Sequence, residues 1–184
     1  LLFSCSFAIS QTASVIGGIG LIRMPTADVL DPQKLLIGID YNVANTNLAS
    51  PQATSLQDGT FTYKIDLGTF LGRSKGLELG ISGKTDKDTK RIKEGVLVNA
   101  KYSLSSDDSS DALYLAIGLE NLSSQNETDA YMVASKYFDS GMGIHFGTLF
   151  DFPFDKFRPL GMFGINLPLG GKEFDILAEA FAGE

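Results

Sequence analysis

The chain has 184 residues, 43% of them hydrophobic and 20% charged, with a formal net charge of −7. That length suffices for one domain with a sizeable core, and the acidic balance excludes the clustered Lys and Arg of a nucleic-acid binder. No stretch reaches the roughly 20 apolar residues of a membrane-spanning helix, but the strands of a membrane barrel need only about 9–11 residues each.

The first ten residues, LLFSCSFAIS, are apolar and end in small side chains. Ala8 and Ser10 occupy positions −3 and −1 for a cut before Gln11, so residues 1–10 read as the remnant of a secretory signal peptide whose basic start is missing. Cys5 is the single cysteine, which excludes an internal disulfide. Two other readings of this stretch are a short buried strand and lipidation at Cys5; Phe3 fits a lipidation pattern poorly.

Residues 11–33 form a lead-in rich in Gly and Pro, including GGIG at 17–20, Pro25 and Asp31-Pro32. Pro25 fixes one dihedral and removes a donor. Thr26 is placed to cap a short turn through Ala27 to Leu30. The expectation is that 17–33 enters a barrel mouth and packs near or inside it.

From position 34 a two-residue rhythm begins, the signature of strands with one apolar and one polar face. Leu35, Ile37, Ile39, Tyr41 and Val43 take one face, against Gly38, Asp40 and Asn42. Phe61, Tyr63, Ile65 and Leu67 oppose Thr62, Lys64, Asp66 and Gly68. Leu77, Leu79 and Ile81 oppose Glu78, Gly80 and Ser82; Val96, Val98, Ala100 and Tyr102 oppose Asn99, Lys101 and Ser103. Leu113, Leu115, Ile117 and Leu119 oppose Tyr114, Ala116, Gly118 and Glu120. Met142, Ile144, Phe146 and Thr148 oppose Gly143, His145 and Gly147; Phe163, Ile165 and Leu167 oppose Met162, Gly164 and Asn166. The pattern is less clean around 130–138 and 173–182.

About nine strands result, and no connection has the length or period of a crossover helix. The expected fold is therefore all-β: an antiparallel up-and-down meander of about 8–10 strands over residues 34–184. The links read as alternately long and short: 44–58, 72–75, 83–93, 105–110, 121–128, 139–141, 151–157 and 168–172. Such alternation marks the two ends of an outer-membrane barrel.

The face opposite the apolar one is rich in Gly, Ser, Asn and charge. Glycine weakens a solvated strand but suits crowded barrel interiors. The reading is a transmembrane β-barrel with apolar groups outward and polar groups in the lumen. Its lumen-facing candidates are Asp40, Lys64, Asp66, Glu78, Lys101, Glu120 and Glu179, with Lys84, Lys136 and Asp175 as further members of the polar set. Opposite charges there can pair across a narrow interior; the competing reading is that many are solvated strand ends. Aromatic residues near strand ends, among them Tyr41, Tyr63, Tyr102 and Phe152, fit interface girdles.

Catalytic signals are weak. His145 is the single histidine, so a His-rich metal site is impossible, and no nucleophile-elbow pattern accompanies it. Asp175 and Glu179 have no spacing that singles them out for glycoside hydrolysis. GGIG lacks the Lys-Ser/Thr of a phosphate loop, and the acidic runs at 86–88 and 106–111 lack calcium-loop spacing. The expectation is a protein that is not an enzyme and carries no cofactor or metal.

The stretch GGIGLIRMPTADVLDPQKLLIGIDY at 17–41 resembles the start of YjbH-like outer-membrane proteins, linked to exopolysaccharide biosynthesis or export. The matching positions are Gly20, Leu21, Ile22, Met24, Pro25, Thr26 and Ala27. A fainter echo covers 159–184, where Glu179, Phe181 and Gly183 align, with Phe for the family's Tyr. Typical members are far longer. The resemblance implies a barrel in the outer membrane of a diderm bacterium. Its implied partners are membrane lipid and either polysaccharide or cell-envelope export components, and it supplies no catalytic residues. The odd strand count and the end AFAGE, without a final aromatic, lead to the expectation that the chain continues beyond Glu184. The alternative is a soluble secreted β-sandwich or lipocalin-like binding module, with the apolar face around a core or ligand.

Overall fold

The computed structural model describes residues 19–21, 23–43, 59–71, 74–86, 92–105, 112–123, 127–153, 158–169 and 174–182. The proposed signal remnant at 1–10 and the loop at 44–58 lie outside the described residues.

The nine strands are β1 (Leu35–Val43), β2 (Gly59–Leu71), β3 (Ser74–Asp86), β4 (Ile92–Ser103), β5 (Leu113–Glu120), β6 (Glu127–Tyr137), β7 (Gly143–Pro153), β8 (Arg158–Leu169) and β9 (Phe174–Ala182). They form one antiparallel sheet in sequence order, β1 through β9. The all-β meander expected from the two-residue period is thus present, as a single sheet rather than two packed layers. Among the described residues β1 and β9 each pair on one side only, so the sheet is not closed.

Register carries the alternation across the sheet. Ile37 pairs with Ile65, Ile65 with Ile81 and Ile81 with Val98, so one aliphatic row crosses four strands on the outer face. A second row runs Leu35, Leu67, Leu79, Ala100, Leu119. Large side chains of both rows are exposed: Ile37 retains 65% of its surface, Leu35 58% and Leu79 43%. The opposite face is buried and polar, with Lys64 at 1%, Asp66 at 0% and Glu78 at 2%. The usual distribution, apolar in and charge out, is inverted.

Glycines on the inner face make room for that inversion. The ring of Tyr131 lies across Gly118, its partner in the β5–β6 ladder, and the aliphatic chain of Lys64 lies across Gly38. A methyl group at either glycine would collide with the neighbour.

The regular alternation of long and short links does not survive. The first contrast remains, 44–58 against 72–73, but β3 and β4 are joined by 87–91, β4 and β5 by 104–112, and β7 and β8 by 154–157. The cause is that main-chain pairing continues where the side chains turn polar. Thr85 still pairs with Ile92, and Asp151 with Arg158.

One side-chain placement differs from expectation, and the structure settles others that the alternation left open. Lys136 pairs with outward-facing Leu113 and with Ile144, so it belongs to the outer face rather than the polar one. Leu97 is buried inside beside Asn99. The segment 130–138 read poorly because its inward set, Tyr131, Val133 and Ser135, is largely apolar and fully buried. In β9 the inward set is Leu177, Glu179 and Phe181, and the outward set Ile176, Ala178 and Ala180.

Candidate functional site

The lead-in occupies the inner face. Residues 19–21 and 23–26 are the two arms of a tight hairpin: Gly20 and Pro25 make an isolated bridge, the Leu21 amide bonds the Met24 carbonyl at 2.9 Å, and the Thr26 amide bonds the Ile19 carbonyl at 3.3 Å. Pro25 suits this position because its missing N–H is not required there. Gly20, Pro25 and Thr26 are all buried. Thr26 does not cap a helical turn; its hydroxyl donates to the Asp28 carboxylate at 3.0 Å, and 27–30 runs without helix.

Side chains from distant strands hold this segment by its backbone. Glu78 on β3 accepts the Ile19 amide through Oε1 and the Leu30 amide through Oε2, both at 2.9 Å. Lys101 on β4 donates to the Ile19 carbonyl at 2.8 Å and stands 3.7 Å from Glu78. Ser135 on β6 accepts the Ala27 amide at 2.8 Å. Glu179 on β9 accepts the amides of Arg23 and Met24 at 2.8 Å each. A segment that touches β3, β4, β6 and β9 at once requires the sheet to curl around it.

Burying two charges costs several kcal/mol per ion. Here that cost is offset by pairing and by the lead-in's own amides and carbonyl, since charge-assisted hydrogen bonds are roughly twice as strong as neutral ones. Apolar packing adds to it. Leu21, Met24 and Ala27 join Ala116, Tyr131, Val133 and Met162 in one buried cluster. Leu21 and Met24 lie against Gly164 of β8, and the carbonyls of Leu30 and Asp31 lie against Gly68 of β2.

A polar relay runs on from Ser135. Its hydroxyl accepts from Ala27 and so donates to His145 Nδ1 at 2.8 Å; Nε2–H of His145 then donates to Asn166 Oδ1 at 3.0 Å. This assigns the Nε2–H tautomer from the network. Asn166 Nδ2 donates to the Gly141 carbonyl at 3.4 Å, and Gly141 holds a φ of 83° that glycine tolerates. Tyr137 donates to Asp28. His145, fully buried in this relay, bridges β6 to β8.

At the opposite half of the inner face a second network pins the β5–β6 turn. Asn99 Nδ2 donates to Ser82 Oγ at 3.3 Å, the Asn121 amide donates to Asn99 Oδ1 at 3.0 Å, and Asn121 Nδ2 donates to Asp129 at 3.0 Å. Asn121 reaches this geometry at a φ of 59°, which Asn tolerates better than most residues.

Of the seven lumen candidates, Lys64, Asp66, Glu78, Lys101 and Glu120 are buried on the inner face. Glu179 is there too, half-buried, against the hairpin tip. The side chain of Asp40 lies outside the described residues. Sequence reasoning missed Ser135, His145 and Asn166 as a connected set. Strand parity does place all three on one face, and that parity was the available signal.

A cavity of about 260 Å³ opens between the lead-in and β6–β9, lined by Thr26, Asp28, Tyr137, His145, Asn166 and Asp175 among others. Among the described residues no group of three or more His, Cys, Asp or Glu side chains could hold a metal ion. No protein-family model, curated protein or solved structure matches this chain.

Proposed function

We propose that this chain is a membrane-spanning β-barrel protein of the outer-membrane type, structural or transport-related, whose lumen is stoppered by its own lead-in. One observation carries the reading: on a single sheet, aliphatic rows face outward while Lys64, Asp66, Glu78, Lys101 and Glu120 are buried inside. Exposed apolar patches on soluble monomers rarely exceed a few hundred Å², and rows spanning four or more strands exceed what a soluble surface tolerates. Acyl chains would cover them. Strands of 8 to 13 residues match the roughly 9–11 needed to cross a tilted barrel wall. In lipid both sheet edges must be paired, because unsatisfied main-chain groups there cost several kcal/mol each. The reading therefore requires β1 and β9 to close on each other or on further strands.

The soluble sandwich or lipocalin-like alternative needs an apolar interior. The charged interior argues against it. The resemblance at 17–41 and 159–184 extends the proposal to exopolysaccharide export, with polysaccharide or envelope export components as partners.

Two experiments test these parts. Refolded protein mixed with lipid vesicles should float with them through a density gradient and migrate faster unheated than heated on a detergent gel. Protein that stays in the aqueous fraction without detergent would overturn the membrane reading. Cells lacking the protein should secrete less polysaccharide; unchanged secretion would remove the export part alone.

A further inference from the structure

The contacts that hold the lead-in differ from those of a core element. Main-chain to main-chain hydrogen bonds join the lead-in to the sheet at the hinge, Gln33 amide to Gly68 carbonyl at 2.9 Å and Gly68 amide to Lys34 carbonyl at 3.0 Å, whereas the contacts deeper in the segment come from side chains of the wall. The nine-stranded ladder is complete without the segment. Glu78, Lys101, Ser135 and Glu179 all address backbone atoms of the lead-in. These side chains grip the peptide main chain, and the apolar side chains of the lead-in buried against the wall make the fit depend on its sequence.

We infer that the inner face is a peptide-binding groove and that residues 19–33 are its exchangeable occupant, bound in cis. Three features make exchange physically reasonable. Apolar anchoring of the lead-in rests on a few buried side chains, Ile19, Leu21, Met24, Ala27 and Leu30. The charged groups of the groove can be rehydrated when the segment leaves, which removes most of the cost of uncovering them. The hinge is accessible: Asp31, Gln33 and Lys34 are exposed, and Gln33 holds a φ of 69°, a conformation uncommon outside glycine. Departure of the segment would open the lumen beside Glu78, Lys101, His145 and Glu179.

The barrel reading is needed only for the conductance part of the test. A protease recognition sequence is inserted between Pro32 and Gln33, and the protein is folded intact in detergent before cleavage. The released fragment should remain bound on gel filtration and should leave when a synthetic peptide of residues 17–33 is added in excess. Labelled 17–33 peptide should then bind the emptied protein saturably, and a scrambled peptide should not. Glu78→Gln loses one of two amide contacts and unbalances Lys101, so it should weaken peptide binding roughly 10- to 100-fold. In planar bilayers, ion conductance should rise on fragment removal and fall on adding peptide. Fragment release only under conditions that abolish the protein's β-sheet circular dichroism would overturn the proposal, as would equal binding of the scrambled peptide. Exchange in detergent without insertion into bilayers would leave the groove standing and sink the membrane reading instead.

Discussion

Glu78 and Lys101 stand opposite each other in the β3–β4 ladder and divide one residue of the lead-in between them, Glu78 taking the Ile19 amide and Lys101 the Ile19 carbonyl. Both are almost wholly buried. Removing one partner from such a pair typically costs about 3–5 kcal/mol, because the other charge is left buried and uncompensated. Lys101→Met should therefore lower the unfolding free energy, read from urea denaturation, by an amount in that range. The double variant with Glu78→Gln should lose clearly less than the sum of the two single losses. Additive losses would mean that the pair is not coupled.

Tyr131 and Gly118 make a second pair, related by size rather than charge. A methyl group at Gly118 meets the Tyr131 ring, and overpacking of this kind costs about 1–3 kcal/mol. Gly118→Ala should destabilise by that much in the native background. In a Tyr131→Ala background the same change should be close to neutral. Chemical denaturation of the four proteins checks it.

Ile81 lies within the outward row Ile37, Ile65, Ile81, Val98. If the row faces acyl chains, Ile81→Arg should cost roughly 2–4 kcal/mol of folding free energy in vesicles when near the bilayer midplane. The same variant should be nearly silent in detergent micelles, where the charged head can reach water. Equal behaviour in both media would count against a lipid-facing row.

Ser135 accepts the Ala27 amide and donates to His145. Ser135→Ala orphans both, at about 1–3 kcal/mol for a buried unsatisfied group. Hydrogen exchange should show the Ala27 amide losing protection while the β6 ladder amides keep theirs. Loss of protection across β6 would show instead that the serine supports the strand.

Much of this architecture is legible from residue order. Alternation at 61–68 places Lys64 and Asp66 on one face and Ile65 and Leu67 on the other, and burial agrees. Strand parity carries Ser135, His145 and Asn166 to the same face, although the unclear alternation at 130–138 hides Ser135 from a reading of the residues alone. Legibility ends where parity and hydropathy disagree. Lys136 is charged yet faces outward, and Val133 and Met162 are apolar yet face inward. Pairing fixes a side chain's face, because a one-residue slip would turn every neighbour over. Link lengths failed for a related reason: hairpin pairing uses main-chain groups and persists into polar stretches.

By itself, then, the sequence determined the strands, their antiparallel order and the orientation of most side chains, all consequences of a two-residue period that needs only local information. Tertiary structure alone decided what fills the interior. Ile19 and Glu78 are 59 positions apart and Arg23 and Glu179 are 156 apart, separations that no periodic pattern encodes. Those contacts exist because the curled sheet brings polar and charged side chains from four strands to a common space. There, buried charge must find partners, and the backbone of the lead-in supplies them.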